Sequence, residues 1–164
     1  MVIILSDDQI DALIHEPKIT PATLFPLRLI ERNKHRRKEY AVKSASSSGN
    51  EFVIAVRQAM LDTMNFSAIL GYKMPGYNTI FRLRRYNGKH EHTNAIEGTT
   101  LNDFHFHTAT ERYQERGAKE DSFAELTSRH CDLDSAIRRL LEDCGFDPPP
   151  SSAQTTFSFP GQTS

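Results

Sequence analysis

The sequence predicts an α+β fold: a curved, mainly antiparallel sheet of roughly five to seven strands, with an N-terminal helix and two C-terminal helices packed on one face. Three observations predict it. Apolar residues recur at helical spacing near both ends of the chain, they alternate in steps of two between, and turn-forming residues cut that alternating stretch into short runs. With 164 residues, one domain over 1–146 can bury a real core without disulfides. A formal charge of −1 argues against a global field for nucleic acid or membrane, so local clusters matter more. Cys131 and Cys144 stand apart with no paired spacing, which fits a reducing, cytoplasmic compartment. No apolar run approaches the ~20 residues a membrane helix needs, and the start of the chain has no basic flank; no membrane partner is expected.

Ser6-Asp-Asp-Gln9 is a capping box ahead of Ile10, Leu13 and Ile14, and Pro17 stops that helix. From Leu27 the period becomes two, through Tyr40 and Val42, with a Ser-rich turn over Ser44 to Asn50. Phe52 to Val56, Phe66 to Lys73 and Thr79 to Tyr86 read as strands, and Ala59 to Asn65 as either a helical turn or an irregular connection. Asn87-Gly88 is the strongest hairpin signal and predicts that the His90–His92 strand folds back on Thr79–Tyr86. Gly98 to Asp103 reads as a loop, and Phe104 to Thr110 as the last strand. Ser122-Phe-Ala-Glu125 is a second capping box and predicts a helix there. Asp132 caps a clearer helix carrying Leu133, Ala136, Ile137, Leu140 and Leu141, ended by Gly145. Residues 147–164, with Pro148-Pro-Pro150 and a Ser/Thr/Gln-rich remainder, are expected to form a disordered tail.

The chemistry concentrates between Tyr86 and Tyr113, where four of seven histidines lie. On a strand His90 and His92 share one face, as do His105 and His107, while Phe104 and Phe106 turn to the other. Neighbouring His-x-His strands would bring four imidazoles together. Such a cluster can hold a divalent metal, with Glu91, Glu97 or Glu111 as further ligands, or it can work without cofactor. In the second case one imidazole takes the 2′-hydroxyl proton of RNA and another protonates the leaving oxygen. Arg82, Arg84, Arg85 or Arg112 would stabilise the phosphorane, and Tyr113 would donate a hydrogen bond. A solvent-facing polar pattern is the competing reading of each His-x-His pair alone, and two pairs so close together weigh against it. His15, His35 and His130 read as surface or capping residues.

Arg28–Lys43 is basic, and Arg32, Lys34, Arg36, Arg37 and Lys38 could track a phosphate backbone or an acidic protein; a solvated hairpin tip is the plainer reading. Three segments, Phe52 to Gln58, Phe81 to Asn94 and Phe104 to Tyr113 with Gly117, resemble an uncharacterised bacterial family associated with mobile elements, over nearly all of 1–146. The arginine-tyrosine strand followed by two histidine-bearing strands is also similar to TumE-type toxins of toxin–antitoxin pairs. That second likeness implies His90, His92, His105 and His107 as site residues and an antitoxin as partner.

The expectation drawn from all this is a toxin-like ribonuclease, a hydrolase whose histidine face acts on RNA with Arg85, Glu111 and Tyr113 beside it. The other reading is a non-enzymatic phage or mobile-element protein, a defence or anti-defence inhibitor, that binds a macromolecule through its basic hairpin and sheet. Nothing in the sequence specifies an oligomeric state.

Overall fold

In a computed structural model, which describes residues 3–147, helix α1 (Asp7–His15) is followed by β1 (Ile30–Arg32), β2 (His35–Lys43), β3 (Glu51–Ala59), β4 (Phe66–Tyr72) and β5 (Phe81–Asn87). Then come β6 (His92–Asn94), β7 (Thr99–Leu101), β8 (His105–Thr108), the short helix α2 (Glu111–Glu115), β9 (Phe123–Leu126) and α3 (Leu133–Asp143). Seven strands form one open antiparallel sheet in the order β1-β2-β3-β4-β5-β8-β9, and β6 and β7 pair separately. The α+β class and the antiparallel sheet are as the sequence predicts. A register shift at Leu70/Gly71 adds local bend and twist.

The alternation in the strands sorts residues between two faces. Cross-strand partners Tyr40, Ile54 and Leu70, with Ala68 and Tyr86, lie on one face and pack with Ile10 and Ile14 of α1 and Ile137 and Leu140 of α3. Both helices start on capping boxes, at Ser6 and at Asp132. Gly145 follows α3 with φ 80°. A side chain there would strike the carbonyl of Glu16 at 2.6 Å, so glycine is required by close approach as well as by conformation.

Several local expectations are overturned. The Ser122 box does not start a helix: Phe123–Leu126 is the edge strand β9. Pairing with β8 and a side-chain bridge from Asn94 satisfy its backbone, and this tertiary context overrides the local signal. One long C-terminal helix remains, with α2 lying earlier than either predicted one. Asn87-Gly88 does not fold His90–His92 onto β5, which pairs instead with β8. Gly88 is required because a Cβ would lie 1.8 Å from the Met64 carbonyl oxygen; its N–H continues the ladder to Phe66. Within the expected loop Gly98–Asp103, Thr99–Leu101 pairs with His92–Asn94. Asp147, expected to begin the tail, is tied to Thr20 and Lys18, and the rest of that segment lies outside the described residues.

Lys18 joins the helices. Its side chain is fully buried, and Nζ lies 2.8 Å from each of the carbonyls of Leu13, Ile14, Glu16 and Cys144, which share its three N–H donors. Burial lowers its pKa to about 8, which still leaves an ammonium at neutral pH. Lys18→Met keeps the stem but orphans buried carbonyls at the ends of both helices. It should cost about 3 kcal/mol or more in urea unfolding; an unchanged midpoint would refute this role.

Candidate functional site

His105 and His107 lie opposite Asn87 and Arg85 across β5 and β8, and both are buried, at 0% and 1% exposure. Their neighbours in sequence face the helices, Phe106 stacking on Tyr86 at 5.9 Å and Phe104 on Phe66 at 6.4 Å. His90 and His92 reach the same place from beyond the end of β5, His90 on the segment that leads into the β6–β7 hairpin and His92 as the first residue of β6. That hairpin is fastened at two points. The Asn94 side chain exchanges two 2.8 Å hydrogen bonds with the backbone of Ala124 on β9. Near the turn, Tyr113 Oη donates to Glu97 at 2.6 Å and accepts from the Ile96 N–H, and Arg112 donates to the same carboxylate.

The four imidazoles do meet. Ring centroids are 5.0 Å apart for His90 and His105, 5.1 Å for His105 and His107, 4.6 Å for His92 and His107, and 6.0 Å for His92 and His105. Backbone carbonyls fix three of the rings. His105 Nδ1 donates to Asp103 O at 2.7 Å, His107 Nδ1 to Asp121 O at 2.8 Å and His92 Nε2 to Ser122 O at 2.7 Å. A carbonyl only accepts, so each of those nitrogens carries the hydrogen and the other nitrogen of the ring carries a lone pair. Nε2 of His105 and of His107 is buried with no hydrogen-bond partner among the described residues, as is His90 Nδ1. His90 is held most loosely, by a 3.4 Å contact to the Asn87 amide. Among the described residues, no three His, Cys, Asp or Glu side chains are already gathered as a metal-coordinating group.

Burial is the main cause that favours the neutral form of His105 and His107, lowering the pKa of the first to about 4 and of the second to about 2, with Arg85 contributing to both. Arg85 is itself anchored, Nε to Asp121 Oδ2 at 3.0 Å, and the Asp121 side chain is fully buried with Oδ1 unpartnered among the described residues. Arg82 contacts Asp121 and Glu120 at the margin.

Other predicted residues are elsewhere. Arg84 is on the helix face, bonded to Tyr86 and close to Asp143. Glu111 exchanges hydrogen bonds with Asp7 at the start of α1. Tyr113 and Glu97 clamp the hairpin as described, so neither they nor Glu111 joins the imidazoles. Glu91 is exposed. The basic segment divides between faces. Arg37 lies on the histidine face, Arg36 bonds Gln58, Lys38 lies over the Tyr40 ring, and Arg32 and Lys34 are exposed near the turn between β1 and β2. His130 is not a surface residue: it is buried against Phe66, Tyr86 and Phe104 and bonds the Asn87 carbonyl at 2.8 Å.

Sequence reasoning passed over Arg57. Cross-strand register sets Arg37, Arg57, Ser67, Asn87 and His105 abreast on one face, with Arg85 and His107 in the adjoining row. The Arg57 guanidinium meets the neutral oxygens of Asn65 and Ser67. Burial first, then Arg37 and Arg85, lower its pKa. Its position on the same strand face as Ala55 was readable; its partners came only with the pairing.

The lowered histidine pKa values set a pH dependence. Below about pH 6.5 the unfolded chain takes up protons that folded His105 and His107 refuse. Stability in chelator should therefore fall on acidification, by roughly 1.4 kcal/mol per pH unit per histidine, first for both and below pH 4 chiefly for His107. Urea midpoints between pH 7 and pH 4 test this, and a flat profile would contradict it.

No helix among the described residues is long and apolar enough to cross a membrane. No curated protein and no solved structure matches the chain. Residues 5–145, which hold the whole sheet, all three helices and the four clustered histidines, match the model of a family of unknown function, DUF6978, and the chain belongs to that family.

Proposed function

We propose that this protein is a toxin-like ribonuclease whose open sheet face acts on RNA. The carrying observation is that Arg37 and Arg57 in one cross-strand row, with Arg85 in the adjoining row, lead into four clustered imidazoles on the face that the helices leave free. Guanidiniums in a row suit successive phosphates. A neutral imidazole of the cluster takes the proton from the ribose 2′-hydroxyl, the 2′-oxygen attacks phosphorus, and the bond to the 5′-oxygen breaks. The products are a 2′,3′-cyclic phosphate and a 5′-hydroxyl whose proton comes from water. Arg57 and Arg85 offset the charge that grows on the phosphorane. His90 and His92, half-buried, are the pair nearest solvent, with His105 and His107 behind them.

The resemblance to TumE-type toxins supports this reading. It makes an antitoxin the expected protein partner; the other resemblance, to a family associated with mobile elements, suits a phage or mobile-element gene whose product works in the bacterial cytoplasm. Incubation with a mixed RNA pool, with and without chelator, tests the activity. Arg57→Ala should slow cleavage about 10- to 100-fold while leaving circular dichroism unchanged; intact RNA under every condition would overturn the reading.

One observation favours a second reading, a binding protein that acts as a defence or anti-defence inhibitor. Arg32 and Lys34 are exposed beside the β3–β4 connection, where Met60 donates to the Lys34 carbonyl and Leu61 is 95% exposed. Arg32, Lys34 and Arg37 reversed together to glutamate should then abolish capture of an acidic partner in a pulldown, and unchanged capture would count against it.

A further inference from the structure

We propose that the histidine cluster binds a divalent transition-metal ion, with His105 and His107 as ligands through Nε2, His92 through Nδ1, and His90 turning in to complete the set. The inference rests on three features of the rings. First, His92, His105 and His107 each donate one ring nitrogen to a main-chain carbonyl. Metal-bound histidines are held in the same way, because the outer hydrogen bond fixes the tautomer and leaves the second nitrogen's lone pair for the ion. Second, two of those lone-pair nitrogens, on side chains at 0% and 1% exposure, are buried without a partner, and so is Nδ1 of His90. Unpaired buried nitrogens side by side are unfavourable, and a cation answers them together.

Third, the spacing suits an ion. With metal–nitrogen bonds of about 2.0–2.1 Å and tetrahedral angles, imidazole centroids around one zinc lie roughly 5 Å apart; the four neighbouring ring pairs given above span 4.6 to 6.0 Å. The nitrogens themselves do not converge on one point among the described residues. His90, with only its 3.4 Å contact to Asn87, is the ring least tied and the freest to turn toward an ion, whereas His92, His105 and His107 would approach it with their carbonyl hydrogen bonds kept. Arg85 does not bar a cation, since Asp121 holds its charge at 3.0 Å. All-imidazole coordination selects zinc, cobalt, nickel or copper over magnesium or calcium.

This metal site deepens the ribonuclease reading, in which a bound ion would polarise the phosphate or a water, but its test is separate. The full chain, purified without a histidine tag and stripped with chelator, is titrated with Co²⁺ and with Zn²⁺. The expected result is a single equivalent, with visible tetrahedral bands for Co²⁺ and a Zn²⁺ affinity that His105→Gln with His107→Gln lowers at least about 100-fold. His90→Ala, outside the strands, should lower it about 10-fold with folding intact, and His15→Gln should not change it. Absence of the bands and of zinc binding, or affinity unmoved by His90→Ala and the double variant alike, overturns the proposal. Metal binding without RNA cleavage keeps the site and removes the ribonuclease reading; chelator-resistant cleavage without metal binding does the reverse.

Discussion

One ammonium group fixes how this protein is layered. Lys18 Nζ sits among four backbone carbonyls, three at the end of α1 and one at the end of α3, and lies 4.6 Å above the Phe52 ring. Both helix C-termini carry partial negative charge and unpaired carbonyls, so one cation answers two helices at one point. Removing an ammonium from water is unfavourable, and the direct hydrogen bonds, the two helix ends and the aromatic face offset it. The consequence reaches across the sheet. With both helices held to one side, the alternation of the strands sends Ile54, Leu70 and Tyr86 to that side and leaves Arg57, Arg85, His105 and His107 on the other.

A polar face need not be a bare one. Over β8 and β9 the β6–β7 hairpin covers the histidines, and side chains hold it there, Asn94 on Ala124 and Glu97 between Arg112 and Tyr113. Over β3 and β4 the same face stays more open, with Arg57 and Ala55 half-buried and Arg37 and Glu39 exposed. The boundary between covered and open surface runs beside His90 and Arg85. A substrate approaching along the arginines would therefore meet His90 and His92 before the two buried rings.

Much of this was legible in residue order. The caps at Ser6 and Asp132, the apolar alternation and the sharing of faces by His105 and His107 follow from local geometry that tertiary contacts did not change. The errors lie where two segments distant in sequence compete for a strand edge. Asn87-Gly88 has the composition of a tight turn, yet Gly88 is needed because the Met64 carbonyl approaches it, a contact no window around residue 88 contains. Ser122 begins a capping pattern, but Phe123–Leu126 has the free edge of β8 beside it. His130 could not be told from a surface histidine, because its burial is made by Phe66, Tyr86 and Phe104 from three separate strands or their flanks. Asp121, which anchors Arg85, is similarly ordinary in sequence.

The convergence of the four imidazoles changes what each can do. In the simplest acid–base scheme one ring accepts a proton while another donates one, which requires rings of both charge states near neutral pH. Burial weighs against that division at His105 and His107, lowering their pKa values to about 4 and about 2 and so favouring the neutral ring at both. Their donated hydrogens are also already committed to Asp103 and Asp121 carbonyls. What remains on each is a lone pair, and a lone pair in a dry site either accepts a proton transiently or coordinates a cation. The tautomers fixed by those carbonyls suit His105 and His107 to the proposed ion, since a neutral imidazole need not release a proton before it binds one.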